Sequence, residues 1–214
     1  MTDSTPEDRV RRALVKVGAG RGFVMEVGSE RTGRVIVTAA HCLPRLPPAN
    51  AASYPEERTY HDLIGPLDGE STISCECIFC DPVADVAVVS NPDSEEFPPE
   101  YDAFEQFIVA TESLKLSAHP EHAELPAWLI DLDGHWVSCR AHLNSKGMSL
   151  TEVVDDIQGG MSGSPIVTVE GAAVGVVGQG TRHGQGMDGP QARLPHRLPA
   201  WLVGFEAKKP SGIS

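Results

Sequence analysis

The sequence predicts an all-β protein, a barrel or a sandwich, and three observations support this fold class. Short apolar or alternating segments recur along the chain and are separated by turn residues, as expected for many short strands. Helical signals are confined to the two ends of the chain. No internal repeat is visible, and 214 residues suffice for one globular unit of two packed halves.

The first half of the chain contains a short helix and then strands. Thr5 is placed as an N-cap, with Pro6 at the first helical position and acids in the first turn. The helix gives way to an alternating segment at Leu14. Strands are predicted at 14–17, 23–27, 35–38, 73–79 and 86–89, with a hairpin turn at 29–33 and a proline-rich loop at 44–55.

The second half of the chain also contains short predicted strands, and a long connection separates it from the first half. Residues 91–122 are acidic and proline-rich, which makes them the natural link between the two halves. A short C-terminal helix is expected after Pro199, where Trp201, Leu202 and Phe205 have helical spacing. Strands are predicted at 128–130, 135–143, 150–154, 165–169 and 172–177.

The composition excludes several classes of function. The net charge is -13, and a nucleic-acid groove needs clustered positive charge. No apolar run approaches the roughly 18 residues that a transmembrane helix needs. The polar, acidic N-terminus lacks the apolar core of a signal peptide. We therefore expect a cytoplasmic protein that binds neither nucleic acid nor membrane.

The five cysteines are an odd number, which in a chain without an export signal indicates free thiols. Cys75, Cys77 and Cys80 could hold a metal with His61 as fourth ligand. Zinc sites usually pair two ligand clusters, so small buried strand cysteines are the favoured interpretation. His119 and His122 have a spacing compatible with metal binding but are expected to be solvated loop residues. No metal and no cofactor is predicted.

Three residues with the chemistry of acyl transfer lie at the edges of apolar strands. His41 follows Ala39 and Ala40 at the end of one strand, Asp85 directly precedes another, and Ser162 lies in a Gly-Ser turn before a third. Each has a plain alternative, as a structural histidine, a solvent-facing acid or a simple turn residue. A serine nucleophile requires an adjacent base, and the base requires an orienting carboxylate. The order His41, Asp85, Ser162 supplies all three.

These motifs resemble the trypsin/chymotrypsin-like serine proteases. Thr38-Ala39-Ala40-His41-Cys42 matches the histidine motif of the family, Asp85 before an alternating Val/Ala strand matches its aspartate motif, and Gly160-Met161-Ser162-Gly163-Ser164-Pro165 matches its G-x-S-G-x-P pattern. The resemblance covers about residues 14–180 and is closer to compact bacterial members than to digestive trypsin.

The resemblance implies a fold and a set of roles. The fold would be two antiparallel six-stranded β-barrels with a short C-terminal helix, in one domain spanning 1–214. The first barrel would cover about 14–90, the linker about 91–124, the second barrel about 125–192 and the tail 193–214. Ser162 would attack the scissile carbonyl, His41 would take its proton and Asp85 would hold the imidazole. The N–H groups of Gly160 and Ser162 would form the oxyanion hole.

Specificity and regulation follow less directly from the resemblance. Asp156 has the spacing from Ser162 of the acid that selects Lys or Arg in trypsin, although it could equally be a turn residue. Glutamyl endopeptidases carry a histidine on the strand after the nucleophile, and this sequence has none there, since His183 lies further along the chain. Gly178 and Gly180 are predicted to bind the substrate. Met161 replaces the aspartate that completes digestive-protease activation, so zymogen cleavage is not expected.

The predicted function is a serine endopeptidase acting on protein or peptide substrates through an acyl-enzyme. The absence of a zymogen switch fits control by a regulatory partner protein, and an effector role in an intracellular bacterial defence or signalling system. The alternative is a catalytically silent, protease-like binding module, since inactive relatives keep the scaffold. A metal hydrolase is disfavoured because no His/acid cluster at ligand spacing converges on a strand end.

Overall fold

The two halves of the chain form two closed antiparallel barrels of six strands each. The structure is a computed structural model that describes residues 4–27, 33–49, 54–120, 122–145, 147–178 and 188–203. The predicted all-β class and the two-barrel architecture implied by the resemblance are confirmed. The hairpin turn predicted at 29–33 lies outside the described residues, except for its last position.

The first barrel closes through pairing of its first strand with its fourth. The strand order around it is β1-β2-β3-β6-β5-β4. The strands are β1 (Leu14–Val17), β2 (Gly20–Val27), β3 (Gly33–Thr38), β4 (Thr59–Pro66), β5 (Ile73–Asp81) and β6 (Val86–Ser90). The sequence did not predict β4, because its register shifts between Tyr60 and Ile64 and interrupts the alternation.

The second barrel has the order β10-β11-β12-β9-β8-β7. Its strands are β7 (Glu124–Ile130), β8 (Trp136–Asn144), β9 (Gly147–Thr151), β10 (Pro165–Val167), β11 (Ala173–Val176) and β12 (Asp188–Arg193). The strand predicted at 150–154 is displaced, since β9 begins at Gly147 and already ends at Thr151. β12 was not predicted as a strand.

The helices lie outside the barrels. They are α1 (Pro6–Ala13), α2 (Pro55–Arg58), α3 (Pro98–Ala110), α4 (Leu194–Arg197) and α5 (Ala200–Val203). α1 begins as predicted: the Thr5 hydroxyl accepts a hydrogen bond from the Asp8 N–H at 3.1 Å. α5 is the predicted C-terminal helix, although Phe205 lies outside the described residues. Among the described helices, none is both long and apolar enough to cross a membrane.

The predicted linker contains helix α3, which the sequence did not indicate. Pro98 and Pro99 occupy its first turn, where a missing N–H costs no helical hydrogen bond. Phe104 and Ile108, one helical turn apart, are buried against the first barrel. Burial of two such side chains contributes about 3–6 kcal/mol, which holds α3 in place despite its acidic and proline-rich sequence.

One apolar core fills the first barrel and continues into the second half of the chain. Phe23, Ile36 and Val88 are fully buried at its centre. The same cluster includes Ile130 and Val167 from strands of the second barrel. A separate cluster fills the interior of the second barrel. The shared cluster fixes the two barrels against each other, so residues at their junction have defined relative positions.

Candidate active site

His41 and Asp85 form a two-point hydrogen-bonded pair at the end of the first barrel. His41 lies in a 3₁₀ turn, Ala40–Cys42, which directly follows β3. Its Nδ1 lies 2.7 Å from Asp85 Oδ2, and its backbone N–H donates to Oδ1 of the same carboxylate at 3.0 Å. Ala39 and Ala40, the two residues before His41, are buried. The sequence placed these two residues together, and the structure does so as well.

The pairing defines what the imidazole can do. A carboxylate opposite Nδ1 requires the proton on that nitrogen, which leaves the lone pair of Nε2 as a base. The His41 side chain is 47% exposed and the Asp85 side chain 23%. The base is therefore open to a substrate, while its partner is largely covered.

Asp85 has a backbone conformation that few residues other than glycine adopt. Its φ is 55°, in the left-handed region, at the end of a turn between β5 and β6. The turn is built by Asp81, whose Oδ1 accepts from the N–H groups of Val83 and Ala84 at 3.0 and 2.9 Å. Strained backbone of this kind persists where surrounding contacts hold it, and it clusters at functional sites.

The Ser162 loop is closed by backbone bonds around two left-handed glycines. Gly160 has a φ of 97° and Gly163 a φ of 85°. The Ser164 N–H donates to the Met161 carbonyl at 2.9 Å, and the Gly163 N–H donates to the Val177 carbonyl at 2.7 Å. The loop is thereby attached to the segment after β11, and Ser162 lies at its tip.

The first barrel contacts this loop directly. The Arg21 N–H donates to the Ser162 carbonyl at 2.7 Å. The Cys42 Sγ lies 3.6 Å from the same carbonyl oxygen. A Cβ at Gly20 would come within 2.5 Å of Cys42 Sγ and 2.6 Å of the Ser162 oxygen, so only glycine fits there. The segment that carries His41 and the loop that carries Ser162 therefore meet at the junction of the barrels.

The Ser162 hydroxyl donates to the Gly178 carbonyl at 3.3 Å. In the described part of the chain, no hydrogen bond joins this hydroxyl to His41. Catalytic hydrogen bonds in unliganded sites are often long and tighten only when substrate binds. Gly178 is buried, and its own N–H donates to Gln191 Oε1 at 2.6 Å. Gly178, predicted to lie at the substrate, thus contacts the predicted nucleophile.

The backbone around Ser162 offers donors for a developing negative charge. Within the described residues, neither the Gly160 nor the Ser162 N–H is paired with a backbone carbonyl. Gly160 is not crowded: a Cβ there would lie 3.5 Å from the Leu132 side chain. Neither N–H group is therefore used in backbone pairing among the residues that the structure describes, and Gly160 itself has a left-handed backbone, with a φ of 97°.

Arg21 is a site residue that the sequence analysis missed. Its side chain is nearly buried, and Nη1 donates to the carbonyls of Ile130 and Asp131 at 3.0 and 2.8 Å. Burial lowers the pKa of the guanidinium, while the charge of Asp131 opposes that shift. Arg21 thus connects the second-barrel loop beside Gly160 to the first barrel. The arginine between Gly20 and Gly22 was the available signal, since a charge among small residues of an apolar strand needs partners.

Met161 is buried in the core of the second barrel. Its sulfur accepts from the Gln158 N–H at 3.3 Å, and its own N–H donates to the Gln158 carbonyl at 3.1 Å. The residue before Ser162 is therefore anchored by apolar packing and not by an ion pair.

The structure describes only some of the residues that the sequence analysis named for specificity. Asp156 is exposed in the segment between β9 and the Ser162 loop. Gly180 and His183 lie outside the described residues. Asp156 as a specificity acid stays a prediction.

The cysteine-rich segment does not build the metal site considered from the sequence. Cys75 and Cys77 are buried, and His61 packs edge-on against Phe97. His119 Nε2 lies 3.1 Å from the Ser117 hydroxyl. Among the described residues, only Asp131, Asp133 and His135 bring three ligand atoms within 4.8 Å of one another.

Comparison with known proteins agrees with the two-barrel fold. The trypsin-like peptidase domain model matches residues 20–176. No curated protein sequence matches the chain significantly. The serine protease domain of the Sesbania mosaic virus polyprotein superposes with a TM-score of 0.54 at 12% identity, over 84% of this chain and 87% of that one. The active form of the Rv3671c protease from M. tuberculosis superposes with a TM-score of 0.53 at 16% identity, over 95% and 85%.

The fold is thus that of the two-barrel serine proteases. The family model covers most of the chain, and the protein belongs to the trypsin-like peptidase domain family.

Proposed function

We propose that this chain is a serine endopeptidase that cleaves protein or peptide substrates through an acyl-enzyme. The observation that carries the proposal is the two-point contact between His41 and Asp85, at 2.7 and 3.0 Å. Membership of the trypsin-like peptidase domain family supports the same reaction class. Ser162 is the proposed nucleophile, because its loop is bonded to the strand next to the His41 segment.

In this mechanism the three side chains act in sequence. His41 Nε2 takes the proton from Ser162 as the hydroxyl attacks the scissile carbonyl. Asp85 accepts from Nδ1–H and stabilises the imidazolium, which then donates its proton to the leaving amine. Water, activated by the same imidazole, hydrolyses the acyl-enzyme. The Gly160 and Ser162 N–H groups stabilise the oxyanion, and each such donor lowers the barrier by roughly 3–4 kcal/mol.

A serine-directed probe tests the proposal. Wild-type protein is incubated with a fluorophosphonate and, separately, with an unfolded protein substrate. We expect covalent labelling of Ser162, and loss of both labelling and cleavage in Ser162→Ala. Ser164→Ala is the matched control, because Ser164 lies two residues away and is buried. Labelling that persists in Ser162→Ala contradicts the proposal.

A catalytically silent binding module is the second candidate function. Its support is the hydrogen bond from the Ser162 hydroxyl to Gly178, which directs the hydroxyl to a carbonyl and not to His41. The same experiment separates the two functions. A folded wild-type protein that neither reacts with the probe nor cleaves any substrate supports the silent module.

We propose a preference for Lys or Arg before the scissile bond, with Asp156 as the selecting carboxylate. The exposure of Asp156 leaves its charge available to a substrate side chain. Cleavage of a peptide library by wild type is compared with Asp156→Ala, and with Asp155→Ala as the neighbouring control. A preference that is unchanged in Asp156→Ala excludes this role.

We also propose that a companion protein, and not zymogen cleavage, controls activity, in a cytoplasmic defence or signalling role. The buried Met161 supports this, since it cannot make the ion pair of digestive proteases. Identification of new N-termini in cells expressing wild type or Ser162→Ala would reveal the substrates. The purified chain should keep a basal activity that extract of the host cells raises, and a rate that the extract leaves unchanged would contradict control by a partner.

A further inference from the structure

The cysteines of β5 take no part in the proposed reaction, yet one of them is chemically distinct. Of the five cysteines in the chain, Cys80 is partly exposed and the other four are buried. We propose that Cys80 is a site of reversible S-thiolation, at which a low-molecular-weight disulfide reacts and leaves one of its halves in the adjoining cavity.

A β-bulge brings Cys77 and Cys80 to the same side of the strand. Residues three apart on a regular strand point to opposite faces. Here residues 77–80 of β5 oppose only residues 87–89 of β6, because the register shifts between Cys77 and Phe79. The extra residue turns the two thiols toward one space.

That space is a cavity of about 480 Å³ beside β5, lined by Cys77 and Cys80 together with the two residues between them. Such a volume is within the range of small-molecule sites. Arg58 also lines it and contributes positive charge, part of which is paired with Glu76 at 2.9 Å. A disulfide of peptide-like thiols carries carboxylates that this charge would attract. The wall includes Leu46, Pro47, Arg58, Cys77, Cys80 and Pro82.

The surroundings of Cys80 favour its thiolate. The Cys77 thiol donates to the Phe79 carbonyl at 3.2 Å and lies beside Cys80, and the interaction of the two thiols lowers the pKa of Cys80 and raises the pKa of Cys77. Partial burial and the carboxylates of Asp81 and Asp85 oppose the shift but do not cancel it. Burial raises the pKa of both Cys42 and Cys75. The thiolate is the attacking species, so Cys80 should react first.

The reaction is a thiol–disulfide exchange. The Cys80 thiolate attacks one sulfur of the disulfide, a new S–S bond forms and the original S–S bond breaks. The departing thiolate takes up a proton and leaves as a free thiol. The disulfide is the oxidant, and an external thiol reverses the step.

The mixed disulfide should persist and not be displaced by Cys77. The two cysteines oppose residues two apart on β6, so their Cα atoms are roughly 6.6 Å apart at a rise of about 3.3 Å per residue. Disulfides usually need about 4.4–6.8 Å, and this separation lies at the upper limit. A bond between Cys77 and Cys80 would therefore need a geometry near the limit for disulfides, which disfavours displacement of the adduct by Cys77.

The test uses the full chain and oxidised glutathione as the probe. After incubation, free thiols are blocked and the adduct is located by intact mass and peptide mapping. We expect one glutathionyl group on Cys80, removed by dithiothreitol. Cys77→Ala should slow adduct formation about fivefold to tenfold because it removes the neighbouring thiol that lowers the pKa of Cys80. Cys77→Ser should react faster than Cys77→Ala because its hydroxyl can donate to the Cys80 thiolate.

Cys139→Ser, a buried cysteine of the second barrel, is the control and should react like wild type. Three results would overturn the proposal: an adduct mainly on another cysteine, a Cys77–Cys80 disulfide in place of the adduct, or equal rates for wild type and Cys77→Ala. None of these readouts requires proteolysis, so they stand apart from the proposed function.

A consequence for activity rests on the proposed function. The cavity wall includes Leu46 and Pro47, which follow the turn that carries His41. It also includes Pro82, which lies three residues before Asp85. A group held there should disturb both segments and slow fluorophosphonate labelling of Ser162 in wild type but not in Cys80→Ser. Labelling that is unchanged by a confirmed Cys80 adduct would contradict this regulatory effect, and leaves the modification site established.

Discussion

The backbone N–H of Arg21 donates to the carbonyl of Ser162 at 2.7 Å, so a strand of the first barrel holds the proposed nucleophile of the second. The Arg21 side chain makes a separate connection, from its guanidinium to the carbonyls of Ile130 and Asp131. Any residue except proline could supply the backbone bond. Only a long, multiply donating side chain can supply the second, which identifies arginine as the specific requirement at this position.

We predict that Arg21→Met lowers the free energy of unfolding by about 2–4 kcal/mol, because buried carbonyls lose their donor. Arg21→Lys should lose less, since an ammonium retains some of the hydrogen bonds. Urea denaturation measures both. Arg12→Met is the control, because the Arg12 side chain is 52% exposed. Equal stability of Arg21→Met and Arg12→Met would show that the guanidinium contacts contribute little.

Gly163 of the second half of the chain lies directly against β2 and β3 of the first barrel. A Cβ there would lie 1.8 Å from the Arg21 carbonyl oxygen and 2.6 Å from Thr38 Oγ1, and the φ of 85° is itself unfavourable for other residues. We predict that Gly163→Ala either fails to fold or loses more than about 4 kcal/mol of stability. Thermal unfolding and soluble yield measure this.

Gly159→Ala is the matched control for Gly163→Ala. Gly159 lies in the same loop, and a Cβ there would meet nothing within 4 Å. We expect a change of less than about 1 kcal/mol. If the two alanine variants were equally stable, the close approach at Gly163 would not be what fixes the loop.

The residues that the sequence identified share one property: their local context carried the information. His41 follows two small residues at a strand end, and Ser162 lies between glycines that permit a tight loop. In both cases the neighbouring residues in the sequence show which backbone conformation the segment must adopt. The fold class followed in the same way, from short strands separated by turn residues.

The missed features depend on contacts that are distant in sequence. Arg21 finds its acceptors more than a hundred residues away, at Ile130 and Asp131. Helix α3 is held by burial of Phe104 and Ile108 against the first barrel, and tertiary packing of this kind overrides a proline-rich composition. The Cys77–Cys80 arrangement needs a bulge that strand periodicity cannot predict.

Asp131 and His135 form a second histidine–carboxylate pair, in the loop held by Arg21. The distance from Nδ1 to Oδ2 is 3.0 Å. Hydrogen bonding to Asp131, with the negative charges of Asp131, Asp133 and Asp155, raises the pKa of His135. Burial alone would raise the pKa of Asp131, but its bonds from the His135 N–H and ring lower it overall.

The sign of the pH dependence follows from these two shifts. The His135 contribution to stability is complete below its ordinary pKa of 6.5 and is lost as the pH rises through the raised value. The Asp131 contribution is present above its ordinary pKa of 3.8 and is lost as the pH falls through the lowered value. The pair therefore stabilises this loop most between those two ordinary values.

We predict that Asp131→Asn returns the pKa of His135 toward 6.5, as measured by NMR titration of the ring. Asp133→Asn is the control, because Asp133 acts on His135 by charge alone and its removal should lower the pKa less. An equal effect of the two variants would show that long-range charge, and not the hydrogen bond, sets the pKa of His135.

Asp85→Asn separates the orienting role of the carboxylate from its structural role. Asparagine has the same shape, tolerates the φ of 55°, and can still accept from the His41 backbone N–H. Its amide NH₂ would face Nδ1, however, and force the proton onto Nε2, so that the base is lost. We predict that peptide hydrolysis falls about 10³–10⁴-fold while the free energy of unfolding changes by less than about 1 kcal/mol. Hydrolysis rate and urea denaturation are measured on the same preparations, with Asp156→Asn as an exposed control for stability. A variant that keeps wild-type hydrolysis would show that Asp85 does not set the tautomer of His41.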